Sequence, residues 1–316
     1  MSWVELKVRG LREEADGILG IELAPLAGTL PFTWQAGAHV DVQVEGGQVR
    51  QYSLINRPEE GCVRLAVKHA ADSRGGSRWL HRQVRLGDRL KVGTPRNVFP
   101  LKAGMGEVVL VAAGIGITPL LAMYRECQRQ SRPVRLWYFV REAAQWAFVE
   151  QWRNDAAVSL ISGLPSSAVI DRLRGELPAW QTDAQLYTCG PEGFMAAVLG
   201  LAGERGWPAE ALHQEHFQAP KAASDPLPAG QQLVLARSGK TVELRAGESL
   251  VAAAERVGVS IATSCGMGMC GACMTPVLGG DIEHRDQYLS EAEQGSGQWI
   301  MPCVSACRRG TLTLDL

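Results

Sequence analysis

The stretch "TSCGMGMCGAC" at 263–273 restricts this chain more than any other part of it. Its cysteines are spaced Cys265-x4-Cys270-x2-Cys273, and Cys303 follows after 29 residues. That spacing is the plant-type arrangement for a [2Fe–2S] cluster, in which four thiolates hold two irons and two sulfides. The cluster is anionic, so backbone N–H groups must come close to the sulfurs. Gly266, Gly268 and Gly271 permit that approach and tolerate positive φ. A zinc site built from Cys270, Cys273, Cys303 and Cys307 is the alternative. It leaves Cys265 unused and does not account for the glycines. On the iron–sulfur reading, Cys307 is a spare thiol, expected as a small buried apolar side chain.

Composition excludes some classes. Net charge is −1 across 316 residues, which argues against a general nucleic-acid or membrane-surface binder. Residues 1–102 hold 15 basic and 11 acidic side chains, which suits a bound phosphate. Residues 232–316 hold 7 basic and 9 acidic ones, which suits docking to a basic surface. The longest apolar run, "VVLVAAGIGITPLLAMY" (108–124), is short for a membrane span and is broken by Gly114, Gly116 and Pro119. The N-terminus has no signal-peptide core, so a reducing cytoplasm is expected, and the eight cysteines are expected to be thiols or ligands.

The rhythm of the chain changes twice. Residues 1–102 read as short alternating strands, such as "HVDVQV" (39–44) and "VRLAV" (63–67), and predict a small antiparallel barrel. From 103 to 218, apolar runs at 108–114, 134–140, 158–161 and 185–190 alternate with helical stretches at 118–130, 145–154, 167–176 and 192–204. That alternation predicts a parallel sheet with crossover helices. A Pro- and Ala-rich linker follows over 219–231. The last unit, 232–316, predicts strands at 232–236, 241–246 and 311–316 and a helix over Leu250–Val257, an α+β arrangement.

In the middle unit, Gly114-x-Gly116-x-x-Pro119 falls between an apolar strand and a helix. Thr118 is expected as the helix N-cap and Pro119 as the first helical residue. Free N–H groups at such a helix start suit a pyrophosphate. Proline in place of the third glycine sets this loop apart from a plain dehydrogenase fingerprint. "LYTCGPEGFM" (186–195) repeats strand, turn and helix, with Cys189, Gly190 and Pro191 at the strand's carboxyl end, where ligands gather. Cys189 is the candidate to approach a nicotinamide ring, with a buried strand cysteine as the alternative. At "FVREAA", Glu142 suits a ribose hydroxyl and Arg141 a 2′-phosphate; NADH is expected over NADPH.

In the first unit, "RQYSLIN" (50–56) and "GGSRWLH" (75–81) carry phosphate and ring chemistry. Arg50 and Arg78 each offer a planar fork, and Gly75, Gly76 and Ser77 offer further donors. Tyr52 can stack on a flat ring, Ser53 can bond a ring nitrogen, and Lys68 can add charge near it. Each has a plainer reading as packing or solvated charge.

Taken in order, Arg50-x-Tyr52-Ser53, "GGSRWLH", "GTPRNVFPL" (93–101), "GIGITP" and "CGPEGFM" resemble the ferredoxin–NADP reductase superfamily. The cysteine unit at the C-terminal end resembles its phthalate dioxygenase reductase branch, which includes reductases of the vanillate O-demethylase and carnitine monooxygenase type. The resemblance covers essentially the whole chain. It implies a flavin barrel, with FMN expected over FAD, then an NAD(P)H domain, then a plant-type ferredoxin domain. It implies that Arg50, Tyr52 and Ser53 touch the flavin, that Gly76, Ser77 and Arg78 meet its phosphate, and that Cys189 borders the hydride path. Glu215 of "QEHF" is implied at the nicotinamide–flavin pocket, with an exposed strand residue as the alternative.

A nicotinamide gives electrons in pairs and an iron–sulfur cluster takes them singly, so a carrier able to handle one or two must lie between. The resemblance implies an electron-transfer reductase that serves a separate Rieske-type oxygenase, and a monomer is expected. A stand-alone diaphorase or oxidase, or a reductase fused to a zinc-stabilised binding module, are the alternatives.

Overall fold

The computed structural model describes residues 2–70, 75–152, 154–217, 230–263, 266–269, 271–286 and 288–316. The chain forms two compact units, residues 1–217 and 218–316. The expected linker lies almost wholly outside the described residues.

Unit 1 opens with strands β1 (Trp3–Ala15), β2 (Ile18–Pro25), β3 (His39–Gln43), β4 (Val49–Ser53) and β5 (Val63–Lys68), helix α1 (Gly76–Arg82) and strand β6 (Arg89–Gly93). The strands form one antiparallel sheet in the order β4-β3-β6-β1-β2-β5. Just past β4, the Ile55 N–H donates to the Arg64 carbonyl of β5 at 3.1 Å and draws the sheet's two edges together, as the barrel reading requires. The alternation of "HVDVQ" sends Val40 and Val42 into the barrel core with Leu6, Val8, Leu65 and Val92. His39 and Asp41 take the other face, where Asp41 accepts two bonds from Arg96, at 2.9 and 2.8 Å.

The second sheet of unit 1 is wholly parallel. Its elements are β7 (Val108–Ala113), α2 (Ile117–Arg129), β8 (Val134–Val140), β9 (Val158–Ser162), α3 (Ser166–Glu176), β10 (Gln185–Cys189), α4 (Glu192–Glu204) and β11 (Leu212–Glu215). The order is β11-β10-β7-β8-β9. Successive residues of β7 serve opposite faces: Val108, Leu110 and Ala112 pack with α2 residues, and Val109 and Val111 with Leu173 of α3 and Val198 of α4. Burial on both faces explains why this strand reads as an unbroken apolar run. The chain winds outward from β7 through β8 and β9, then returns to place β10 on the other side of β7. The carboxyl ends of β7 and β10 therefore mark the topological switch point, where such sheets bind ligands.

One expected helix is absent. The described residues of 145–154 form no α-helix, and two short 3-10 turns, Ala143–Gln145 and Val149–Gln151, stand there instead. Trp146 and Phe148 both pack against the same core. Residues two apart lie on opposite sides of a helix, so the backbone breaks to bring both rings inward. Phe148 does so at φ 62°.

Unit 2 holds β12 (Gln232–Leu235), β13 (Lys240–Glu243), α5 (Leu250–Arg256), β14 (Thr275–Glu283), α6 (Glu291–Ser296), β15 (Trp299–Ile300) and β16 (Ala306–Leu314). Its sheet runs β13-β12-β16-β14-β15, with β12 parallel to β16 and the other pairs antiparallel. Leu233, Leu235, Leu312 and Leu314 form a core with Leu250, Ala253 and Ala254 of α5. The Ser249 hydroxyl caps α5 by accepting from the Ala252 N–H.

Candidate functional site

The switch point of the parallel sheet joins two motifs that lie some seventy residues apart in sequence. Ala112 of β7 and Glu215 of β11 flank Cys189 of β10 in register. Gly116 faces the Cys189 carbonyl so closely that a β-carbon there would fall 2.2 Å from its oxygen. Gly190 lies against Ala113, where a β-carbon would fall 2.8 Å from that side chain. Both glycines are required by this backbone approach. Gly114 has φ +57° and turns the chain out of β7. Pro191 occupies the N-cap position of α4, and its carbonyl accepts from the Phe194 and Met195 N–H groups.

The Thr118 expectation needs correction. The turn at Gly114–Gly116 runs directly into α2, so the helix begins at Ile117 with Gly116 at the cap and Pro119 in third place. Thr118 is buried, and its hydroxyl donates to the Ile115 carbonyl at 2.9 Å. Proline still fits in the first turn, where a backbone N–H has no partner within α2. Arg141 and Glu142 are both exposed just beyond β8, with the Arg141 carbonyl accepting from the Gly163 N–H at 3.0 Å.

Glu215 is buried rather than an exposed strand residue, at 6 % exposure. Burial raises its carboxyl pKa to about 8. Its Oε2 has no partner among the described residues, and neither does Nε2 of the adjacent His216. Burial also holds the Cys189 thiol well above its ordinary pKa, with the Glu215 charge adding to that. A buried carboxyl with an unsatisfied oxygen at a strand's carboxyl end suits a bound polar group better than it suits packing. Composition could not find Glu215, since only the pairing of β11 with β10 brings it there.

The barrel's candidate residues gather as well. The Arg50 side chain crosses Gly76 at the start of α1, and a β-carbon on Gly76 would fall 2.7 Å from Arg50 Cγ. Arg50 also donates to the Val49 carbonyl at 2.8 Å and to Gln48 Oε1 at 2.7 Å. Gly75 has φ +105°, the Ser77 hydroxyl accepts from the Ala70 N–H at 3.3 Å, and Arg78 is exposed. Tyr52 is half-buried opposite Val40, and burial raises its phenol pKa. Ser53 is buried opposite His39. His39 was not singled out by sequence. Burial, with the Arg96 guanidinium beside it, lowers its pKa to about 4 and keeps it neutral. Lys68 Nζ lies 3.9 Å from the β-carbon position of Gly114, so the end of β5 reaches the dinucleotide loop. These residues fit a flavin phosphate and ring on the barrel side and a pyridine nucleotide on the sheet side.

In unit 2, Cys265 and Cys270 lie outside the described residues. Cys273 is buried, and its Sγ lies 3.2 Å from Cys303 Sγ. Two thiols this close, from segments 29 residues apart, suit a shared metal centre. Gly266, Gly268 and Gly271 have φ of +64°, +69° and +72°, the left-handed region expected of them. A β-carbon on Gly268 would fall 2.4 Å from Val304 Cγ2, and one on Gly271 2.4 Å from Tyr288 Cζ. The donor set and its cramped loop thus fit an iron–sulfur cluster. Cys307 is fully buried in the core on β16, and its thiol donates to the Arg309 carbonyl at 3.5 Å. It is a core residue, as expected.

Comparison with known proteins finds a family match in each of the two units. Residues 233–308 match a 2Fe-2S iron–sulfur cluster binding domain, and residues 95–212 match the N-terminal domain of dimethylamine monooxygenase subunit DmmA-like proteins. A vanillate O-demethylase oxidoreductase of Pseudomonas putida is 40 % identical, over 99 % of this chain and 100 % of its own. A heme-dependent oxidative N-demethylase beta subunit of Ectopseudomonas mendocina (strain ymp) is 37 % identical over 99 % of both chains. The crystal structure of phthalate dioxygenase reductase, described as a modular structure for electron transfer from pyridine nucleotides to [2Fe–2S], superposes with a TM-score of 0.76. It is 32 % identical over 100 % of this chain and 98 % of its own.

Proposed function

The chain belongs to the family of phthalate dioxygenase reductase and the vanillate O-demethylase oxidoreductases, and on that premise we propose which residues carry each electron step and to what partner. It is an oxidoreductase with a flavin- and pyridine-nucleotide-binding reductase fold and a [2Fe–2S] domain. Its relatives are reductase subunits of oxygenase systems. When bound, the flavin accepts the nicotinamide's electron pair and the iron–sulfur centre carries electrons singly.

The assignments rest chiefly on one observation: the buried, unsatisfied Glu215 carboxyl stands beside Cys189 at the switch point. Glu215, protonated at neutral pH, donates to the nicotinamide side of the pocket. Cys189 borders the ring, and its thiol stays protonated. Gly114, Gly116, Gly190 and Pro191 shape the loops that receive the dinucleotide. Ser53 offers its hydroxyl to the flavin's reacting edge, with neutral His39 behind it, and Tyr52 covers the ring face. Arg50, Gly75, Gly76, Ser77 and Arg78 take the phosphate, and Lys68 adds charge between the two ligands. Cys265, Cys270, Cys273 and Cys303 hold the cluster. The domains divide at 102, 218 and 231. FMN fits the order of the domains, with the ferredoxin unit at the C-terminal end, and Glu142, suited to a ribose hydroxyl, favours NADH over NADPH.

The partner proposed is a separate Rieske-type oxygenase in the cytoplasm, served by a monomeric reductase. No helix among the described residues is long and apolar enough to cross a membrane. A heme-bearing oxygenase is the second reading, favoured by the relative whose name specifies heme.

Purified, oxygen-protected protein is expected to carry FMN, iron and acid-labile sulfide, and to bleach on addition of NADH. Protein with neither sulfide nor flavin overturns the proposal. Ser53→Ala is expected to slow flavin reduction in stopped flow, and an unchanged rate removes Ser53 from that role. Titrating the reduced protein against a Rieske oxygenase and a heme oxygenase separates the two partner readings.

A further inference from the structure

Two cysteine-bearing segments of unit 2 meet around a single buried carboxylate. Asp286 follows β14 and has a fully buried side chain. Its Oδ1 accepts from the Ser305 hydroxyl at 3.0 Å and faces His284 Nδ1 at 3.3 Å. Its Oδ2 accepts from the Leu289 N–H at 2.9 Å. The Ser305 hydroxyl in turn accepts from the Arg285 N–H at 3.1 Å. The backbone carbonyl of Asp286 accepts from Gln294 Nε2 at 3.3 Å, which fixes α6 to the same segment.

The location matters more than the bonds. Gly268, between the expected ligands Cys265 and Cys270, is pressed against Asp286: a β-carbon there would fall 3.0 Å from both Asp286 Cα and Cβ. The opposite wall of that gap is Val304, which stands between Cys303 and Ser305. Asp286 therefore packs on one cysteine loop and hydrogen-bonds the turn that carries the other. Those segments must keep register for Cys273 and Cys303 to meet, as they do at 3.2 Å. A buried carboxylate is costly unless it is fully bonded, and packing here could have used an apolar side chain.

We propose that Asp286 is a positioning residue of the iron–sulfur site. Through Ser305 and Gly268 it sets the two cysteine segments in register, and its negative charge disfavours reduction of an already anionic cluster. The inference rests on the assignment of the four cysteines as ligands; iron and sulfide content of the unsubstituted protein tests that assignment separately.

The test uses the full-length holoprotein. Asp286→Ala removes every side-chain bond, and cluster loss to a chelator is expected about 10- to 100-fold more readily. Asp286→Asn keeps the size and the acceptor for Leu289 and removes the charge. It is expected to retain iron and sulfide, with the cluster's midpoint potential higher by the equivalent of a tenfold change in the reduced-to-oxidised ratio, about 59 mV for one electron. The EPR spectrum of the reduced Asp286→Ala protein is expected to change in its g-values, a signature that general loss of stability does not produce. If Asp286→Ala does not fold, Ser305→Ala removes one bond and keeps the charge, with faster cluster loss and an unchanged potential expected. Wild-type loss rates and g-values in Asp286→Ala, or in its absence Ser305→Ala, together with a wild-type potential in Asp286→Asn, overturn the proposal.

Discussion

The cysteine loop of unit 2 and the switch point of unit 1, each proposed to hold a redox group, bring backbone into close quarters in opposite ways. The cysteine loop packs three thiols and three glycines into nine residues, and local φ near +70° at each glycine shapes it. The switch point draws on Gly116, Cys189 and Glu215, and only strand pairing makes them neighbours. A metal centre demands a fixed donor type at short range, so its spacing is written in the chain. A nucleotide site is an assembly of strand ends, and any one segment of it looks ordinary by itself.

The largest expected effect tests whether the cysteine loop acts as a separate module. Cys273→Ser should abolish electron delivery to a one-electron acceptor while NADH still reduces the flavin, read by stopped-flow absorbance. Loss of both, with flavin still bound, would mean the two regions do not act in series. Gly116→Ala drives a β-carbon into the Cys189 backbone, which cannot swing aside. It is expected to cost about 1–3 kcal/mol in denaturant unfolding and to raise KM for the nucleotide, with iron content unaffected. A normal KM would show that the Gly116–Cys189 contact serves packing only.

Glu215 gives a pH signature. Its carboxyl titrates near the ordinary carboxylate value of 4.5 when unfolded and at about 8 when folded. Between those values the folded state keeps a proton that the unfolded state has lost, so stability falls as pH rises through that window. The slope from this group is at most about 1.4 kcal/mol per pH unit. Glu215→Gln should flatten the decline in thermal midpoint of nucleotide-free protein between pH 5 and 8, and an unaltered slope would put the carboxylate elsewhere. The smallest effect belongs to Cys307→Ala: a stability loss of about 1 kcal/mol, with iron and sulfide unchanged. Loss of metal there would reinstate the four-thiolate alternative.

Much of the fold was legible where one periodicity ruled a segment. Strand β8 and helix α4 fall where the apolar pattern puts them, at 134–140 and 192–204. The pattern failed at 145–154, where two aromatic rings needed the same core and the backbone gave way. It also passed over β11 and β14. Strand β11 has only four residues, and β14 ends in small and polar ones that show no clean alternation. Thr118 was misplaced because the helix start depends on how sharply Gly114 turns the chain.

The sequence by itself determined the donor chemistry: which thiols are available, at what spacing, and which glycines allow backbone to crowd them. Only tertiary structure decided that Glu215 is buried and unsatisfied, that His39 stays neutral behind Ser53, and that Asp286 bridges the two cysteine segments. Spacing along a chain is a local property and survives in any conformation. Burial, and the pKa shifts and bond networks that follow from it, depends on which distant strands pair, and it comes into being only when they do.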